Sequence, residues 1–348
     1  MNPLILTFLL SGLSMGTTIT LASSHWFLAW MGLEINSLAF LPIMARHHHP
    51  RAVEATTKYF LTQATAASLI LFATTTNAWI TGHWEIMQDP HPMSTALLTL
   101  ALALKMGLAP MHAWLPEVLQ GLDLTTGLIL STWQKIAPFA LMFQIYPHNP
   151  TLLVLLGVLS SLVGGWGGLN QTQLRKILAY SSIAHLGWMA LVLQFSPSLA
   201  LLTLLLYFIM TSSIFLTLKL KKTTTINALA TTSSKAPILT TLTPLILMSL
   251  GGLPPLTGFM PKWLILQELT KQNIALTATL MALSALLSLY FYMRLSYALS
   301  LTISPNSISG TMPWRLPSLK LTLPLATSMT LTTLLLPLTP AILTLTLL

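Results

Sequence analysis

Apolar runs alternate with short polar segments along the whole chain, and their limits predict spans at about 3–22, 25–45, 52–78, 94–120, 125–146, 151–170, 174–194, 198–219, 237–269, 274–300 and 321–345. Each run holds roughly 20 residues or more, the length a helix needs to cross a hydrocarbon layer about 30 Å thick. The pattern predicts an all-α polytopic membrane protein with about eleven transmembrane helices.

Two of these runs are interrupted. In residues 100–116 a lysine, Lys105, sits deep in apolar sequence, and Pro110 follows it. Proline has no N–H to donate and its ring clashes with the preceding turn, so a helix entering here must break soon after Lys105. Shifting the sequence by 145 positions lays residues 107–116 over 252–261, with Gly107/Gly252, Leu108/Leu253, Pro110/Pro255 and Pro116/Pro261 identical. Each copy carries a lysine at its break, Lys105 just before the first and Lys262 just after the second. Paired interrupted segments of this kind mark transporters built from internal repeats. The interrupted spans are the fourth and the ninth, so they enter the membrane in opposite senses. The organisation expected is therefore one membrane domain of two inverted five-helix repeats, each with a broken helix, at 1–148 and 149–300. A C-terminal loop and helix follow over 301–348. The Lys/Thr/Ser-rich stretch 219–235 reads as a connector.

Composition agrees with the membrane reading: 54% of residues are hydrophobic and 7% charged, with a mean hydropathy of +0.75. A soluble domain carries about 25% charged residues. With no cysteine there is no disulfide, thiolate metal site or iron–sulfur ligand in this chain. The net charge of +9 would point to nucleic acid in a soluble protein, but here the cations lie mostly between apolar runs and set orientation instead. Loops on the N-terminal side hold Arg46, Arg51, Arg175, Lys176, Lys219, Lys221, Lys222, Lys235, Arg315 and Lys320. The other side holds Glu85, Asp89 and Glu268, with little cation beyond Lys271. The N-terminus is thus expected on the side of synthesis and the C-terminus across the membrane, although Glu117 and Asp123 run against the trend.

The chemistry lies in four charges at membrane depth: Glu34, Lys105, Lys135 and Lys262. One such side chain costs about 2.5 to 3.5 kcal/mol on insertion scales, so four cost on the order of 10 kcal/mol. A structural reading makes Glu34 and Lys105 one ion pair and lets the remaining lysines snorkel or bind carbonyls at the breaks. A functional reading makes the row a proton relay, in which moving one charge changes the protonation of its neighbours. Lysine suits a relay because arginine does not release its proton. His112, in the first break, and His185, among hydroxyls in the seventh span, are either shuttles in that relay or packed histidines. Glu54 and Lys58, four residues apart, read as an interfacial ion pair. His47, His48 and His49 cannot converge on one ion from a helix, so no metal site is expected. Trp26, Trp30, Trp79 and Trp84 near span ends read as interface anchors. Gly164, Gly165, Gly167 and Gly168 lie inside a span with no strand before them, which favours close helix packing over phosphate binding.

Residues 105–117, 131–138, 179–188 and 251–263 together resemble the antiporter-like membrane subunits of respiratory complex I. The resemblance covers essentially the whole chain. It implies a fold of two inverted five-helix repeats and a place in the mitochondrial inner membrane, multi-pass, with the N-terminus in the matrix and the C-terminus in the intermembrane space. Longer members carry three further N-terminal helices; this sequence starts without them, so other subunits are expected to make the contacts there. Carried over by motif, Glu34 is the carboxylate paired with Lys105, Lys135 the central relay lysine and Lys262 the terminal lysine facing the outlet half-channel. His112 and His185 match motif positions.

The resemblance further implies proton translocation driven by electron transfer from NADH through FMN and iron–sulfur clusters to ubiquinone in other subunits, with no cofactor bound by this chain. Its partners are then the membrane and peripheral subunits of that complex and inner-membrane lipids, and not nucleic acid. A stand-alone cation/proton antiporter would use the same repeats, but the sequence lacks a cluster of membrane carboxylates for sodium. A passive scaffold subunit is the third reading.

Overall fold

The structure is a computed structural model describing residues 2–46, 49–86, 88, 90–145, 150–234, 237–301 and 322–347. His47, His48, Asp89, Lys235, Arg315 and Lys320 lie outside the described residues. The described chain is helical throughout, its extended pairings reduced to two isolated bridges, His25 with Glu85 and Gln173 with Thr225. It divides into two units, residues 1–160 and 161–348.

The first unit holds α1 (Pro3–Ala22), α2 (Trp26–Met44), α3 (Pro50–Thr81), α4 (Pro92–Met106), α5 (Trp114–Gly121), α6 (Leu124–Ser131) and α7 (Trp133–Ile145), and α8 (Pro150–Gly168) starts in it. Local chemistry sets the helix starts. Asn2, His25, His49 and His91 each use a side-chain atom to accept the backbone N–H two residues on, and α1, α3 and α4 start with proline, whose missing N–H is no loss there. Helices α1 and α2 approach closely because Gly16 and Gly32 face each other: a Cβ on either would come within 2.9 Å of the other's carbonyl oxygen. The Trp30 indole donates to the Ala67 carbonyl at 3.1 Å, tying α2 to α3.

The second unit holds α9 (Leu174–Leu193), α10 (Pro197–Lys221), α11 (Ile226–Ala230), α12 (Pro237–Gly251), α13 (Phe259–Lys271), α14 (Ala275–Leu301), α15 (Thr322–Leu334) and α16 (Thr339–Leu347). The glycine cluster packs helices: a Cβ at Gly164 would lie 2.6 Å from the Ala184 nitrogen, and one at Gly168 would lie 2.8 Å from the Phe291 ring. The Thr257 hydroxyl, in the break between α12 and α13, donates to the Thr332 carbonyl of α15 at 2.7 Å.

Among the described residues, α1, α2, α8, α9, α10 and α14 are each long and apolar enough to cross a bilayer alone. The runs predicted as interrupted are interrupted, as α4/α5 and α12/α13. Two runs read as continuous are not. The fifth divides at Thr132, whose hydroxyl bonds the Leu128 carbonyl at 2.8 Å, while Pro138 six residues on denies the Gln134 carbonyl its helical donor. The last bends by 71° between Leu334 and Leu336, where Pro337 has no N–H to continue the ladder. Of the tryptophans read as anchors, Trp79 is 90% exposed but Trp26 only 2%, because the latter opens α2 under the segment that carries Trp84: the Trp26 N–H donates to the Trp84 carbonyl at 3.0 Å.

Candidate functional site: buried lysines at two helix breaks

Helix α4 ends in a left-handed residue, Gly107, at φ 82°. The Gly107 N–H bonds the Ala103 and Leu104 carbonyls at 2.9 and 3.2 Å, and the Leu108 N–H bonds Ala103 at 2.9 Å. This double closure with an apolar residue after the glycine satisfies the helix end from the backbone. Trp114 at the start of α5 adds its indole N–H to the Leu104 carbonyl at 3.1 Å. The end of α4 is therefore capped without drawing on Lys105, which sits in its last turn, where the helix dipole favours a cation.

Lys105 is 6% exposed and Lys135, on α7, 3%. Both line one cavity of about 20 Å³, with Asn36, Ser37, Gln63 and Gln134 among its walls. That is room for about one water. Glu34 stands just behind this wall: its Oε2 accepts from the Ser37 hydroxyl at 3.3 Å. Among the described residues the ion pairs within 4.0 Å are Lys58 with Glu54 and Glu117, and Lys271 with Glu268. The Glu34–Lys105 pair expected from the sequence is therefore not in direct contact. His112 lies in the break, its Nδ1 3.2 Å from the Pro110 carbonyl oxygen.

The second break repeats the first bond for bond at the helix end. Gly252 has φ 81°, its N–H bonds the Met248 and Ser249 carbonyls at 3.1 and 3.0 Å, and the Leu253 N–H bonds Met248 at 3.2 Å. These are the first break's donors and acceptors moved by 145 positions. The difference is Lys262, from the first turn of α13, whose ammonium donates to the Gly251 carbonyl at 2.7 Å. Lys262 and His185 line one cavity of about 20 Å³ together with Thr203 and Met210. The His185 ring stands 5.6 Å from that of Tyr207.

The Glu54–Lys58 pair expected from spacing forms at 2.7 Å, and Lys58 also holds Glu117 of α5 at 2.7 Å. The carbonyl partner of Lys262 at its break is the contact that the structural reading of that lysine described, whereas the second contact of Lys58 and the amides of Asn36, Gln63 and Gln134 were not read from the sequence. Amides standing alone in apolar spans were the available signal for the last three.

Comparison with known proteins defines the class. Residues 23–288 match the family described as NADH:quinone oxidoreductase/Mrp antiporter, TM, and residues 289–343 match the NADH dehydrogenase subunit 2 C-terminus. The fold is similar to a chain of respiratory complex I from Thermus thermophilus, at 28% identity and a TM-score of 0.80 over 97% of this chain and 77% of that one. It also resembles a chain of the Mrp complex from Dietzia sp., at 18% identity and a TM-score of 0.77 over 97% and 74%, a likeness of fold alone. The protein is a polytopic, antiporter-type membrane subunit. A Tetraodon nigroviridis protein, NADH-ubiquinone oxidoreductase chain 2, is 72% identical over 99% of both chains. The chain belongs to the NADH-ubiquinone oxidoreductase chain 2 family.

Proposed function

We propose that the chain moves protons across the mitochondrial inner membrane through Glu34, Lys105, Lys135 and Lys262, as a subunit of respiratory complex I. An antiporter-like, proton-translocating role within an NADH:ubiquinone oxidoreductase follows from its family. NADH, FMN, iron–sulfur clusters and ubiquinone then belong to the other subunits, which are its partners along with inner-membrane lipids, and the chain contributes no redox centre. Its spans form two inverted five-helix repeats over 1–148 and 149–300, with 301–348 as a C-terminal extension and about eleven crossings in all. The shared hydrogen bonding of Gly107 and Gly252 supports this repeat. The N-terminus lies in the matrix and the C-terminus in the intermembrane space.

Redox energy released elsewhere changes the charge state near Glu34. The Glu34–Lys105 interaction then strengthens or weakens, Lys135 gains or loses its proton, and Lys262 passes protons to the outlet. His112 and His185 are further shuttles at the two breaks. The observation that carries this reading is Lys105 and Lys135 buried around one polar cavity beside a broken helix. Apolar protein rejects such charges unless they are used. Replacing Lys105→Met in the assembled complex, in sealed vesicles, should abolish or sharply reduce pumping while the complex stays intact. Undiminished pumping would make the chain a scaffold.

A further inference from the structure

The cavity between Lys105 and Lys135 is walled by uncharged amides as well as ammonium groups. Asn36 is 2% exposed, and among the described residues its carboxamide oxygen is buried without a hydrogen-bond partner. A buried carbonyl left so forfeits its hydration with nothing in return, and such a group asks for an explanation. Its backbone is fixed: a Cβ at Gly16 of α1 would come within 2.8 Å of the Asn36 nitrogen and 3.0 Å of its Cβ, so α1 presses Asn36 into place. Gln134 leans on the Asn36 backbone carbonyl at 3.5 Å, and Gln63, 6% exposed, closes the cavity from α3. The space of about 20 Å³ takes one water.

We propose that Asn36 is a positioning residue for proton transfer, its carboxamide oxygen orienting a single water that bridges Lys105 and Lys135. This rests on the relay reading above. The water has two protons and two lone pairs. One O–H points to the Asn36 oxygen and the other to the lone pair of a neutral Lys135 amine. One lone pair accepts from the Lys105 ammonium, and a Gln63 or Gln134 amide N–H takes the other. When Lys105 gives its proton to the water as the water gives one to Lys135, the positive charge moves from one nitrogen to the other and the water is restored. A neutral amide suits this place because a carboxylate would hold the proton on the nearer lysine. The titratable groups facing the water are Lys105, Lys135 and Tyr59, with Glu34 behind Ser37.

The test uses the assembled complex. A high-resolution map should show an ordered water at hydrogen-bonding distance, about 2.7 to 3.2 Å, from the Asn36 oxygen and both lysine nitrogens; a dry cavity there overturns the proposal. In sealed vesicles Asn36→Leu, which keeps the size and removes the acceptor, should slow pumping roughly three- to tenfold, the effect of about one hydrogen bond. Asn36→Asp, which keeps the acceptor and adds charge, should move the pH profile of pumping upward, since the lysines then release protons only at higher pH. A residue that only packs would leave that profile in place. Lys105→Met is run alongside. If it pumps fully, the relay reading itself fails; if it is inactive while Asn36→Leu pumps at the parent rate, only the bridging water fails. Should Asn36→Leu not assemble, the map decides.

Discussion

The Lys262 ammonium donates to the carbonyl of Gly251, the last residue of α12, at 2.7 Å. In the first break the side chain that reaches the helix end is an indole, Trp114 on Leu104, whose counterpart at the offset of 145 is Ser249 and not Gly251. The two breaks therefore share a backbone turn but not a role for lysine. Lys105 faces a polar cavity from a helix end already capped, whereas Lys262 is itself part of the cap. A charge-assisted bond to a buried carbonyl is about twice as strong as a neutral one, so a change in the protonation of Lys262 is felt directly by the end of α12.

Two substitutions separate those duties. Lys262→Arg keeps a cation and a donor but not a proton that can leave, so the complex should assemble and pump poorly. Lys262→Met also uncaps the Gly251 carbonyl, a cost of about 1 to 3 kcal/mol, so the amount of assembled complex on native gels should fall as well. Equal assembly with both variants would show that the bond at 2.7 Å carries no structural weight.

Lys58 predicts the opposite. It bridges Glu54 and Glu117 at 2.7 Å each, but its side chain is 41% exposed, and ion pairs open to solvent contribute little. Lys58→Gln should leave assembly, heat-inactivation temperature and pumping within error of the parent. A loss of pumping in this variant would draw Glu117 and α5 into the relay.

The contrast between these lysines was legible in the chain only in part. Proline, glycine and an offset of 145 positions announced both breaks, because a residue without an N–H acts on its own local turn. The division of the fifth run at Thr132 escaped for the converse reason: Pro138 frees a carbonyl four residues earlier, and the threonine hydroxyl that completes the break is common in membrane helices. Local spacing found Glu54 for Lys58 but not Glu117, which is 59 positions away. Charges at depth stood out by their cost, which drew the eye to Glu34, Lys105, Lys135 and Lys262 and away from Asn36, Gln63 and Gln134. Those amides cost less to bury, and only the packing of α2, α3 and α7 brings them to one cavity.

Glycines of the second break offer the sharpest structural test, since two of them are needed for different reasons. Gly252 has φ 81°, which costs a residue with a Cβ roughly 1 to 2 kcal/mol. That Cβ would also meet Lys262, 2.8 Å from its Cδ and 3.1 Å from its Nζ. The far end of a lysine can move, so Gly252→Ala should assemble in reduced amount and pump poorly, with the ammonium pushed off Gly251. Gly258 has an ordinary φ of −68°, and its need is for space alone: a methyl there would collide with the Ser249 carbonyl, which is backbone in the last turn of α12 and cannot rotate away. Gly258→Ala should therefore prevent the break from closing and leave little or no assembled complex on native gels. Assembly of Gly258→Ala at the level of Gly252→Ala would mean that α12 and α13 approach less closely than this packing requires.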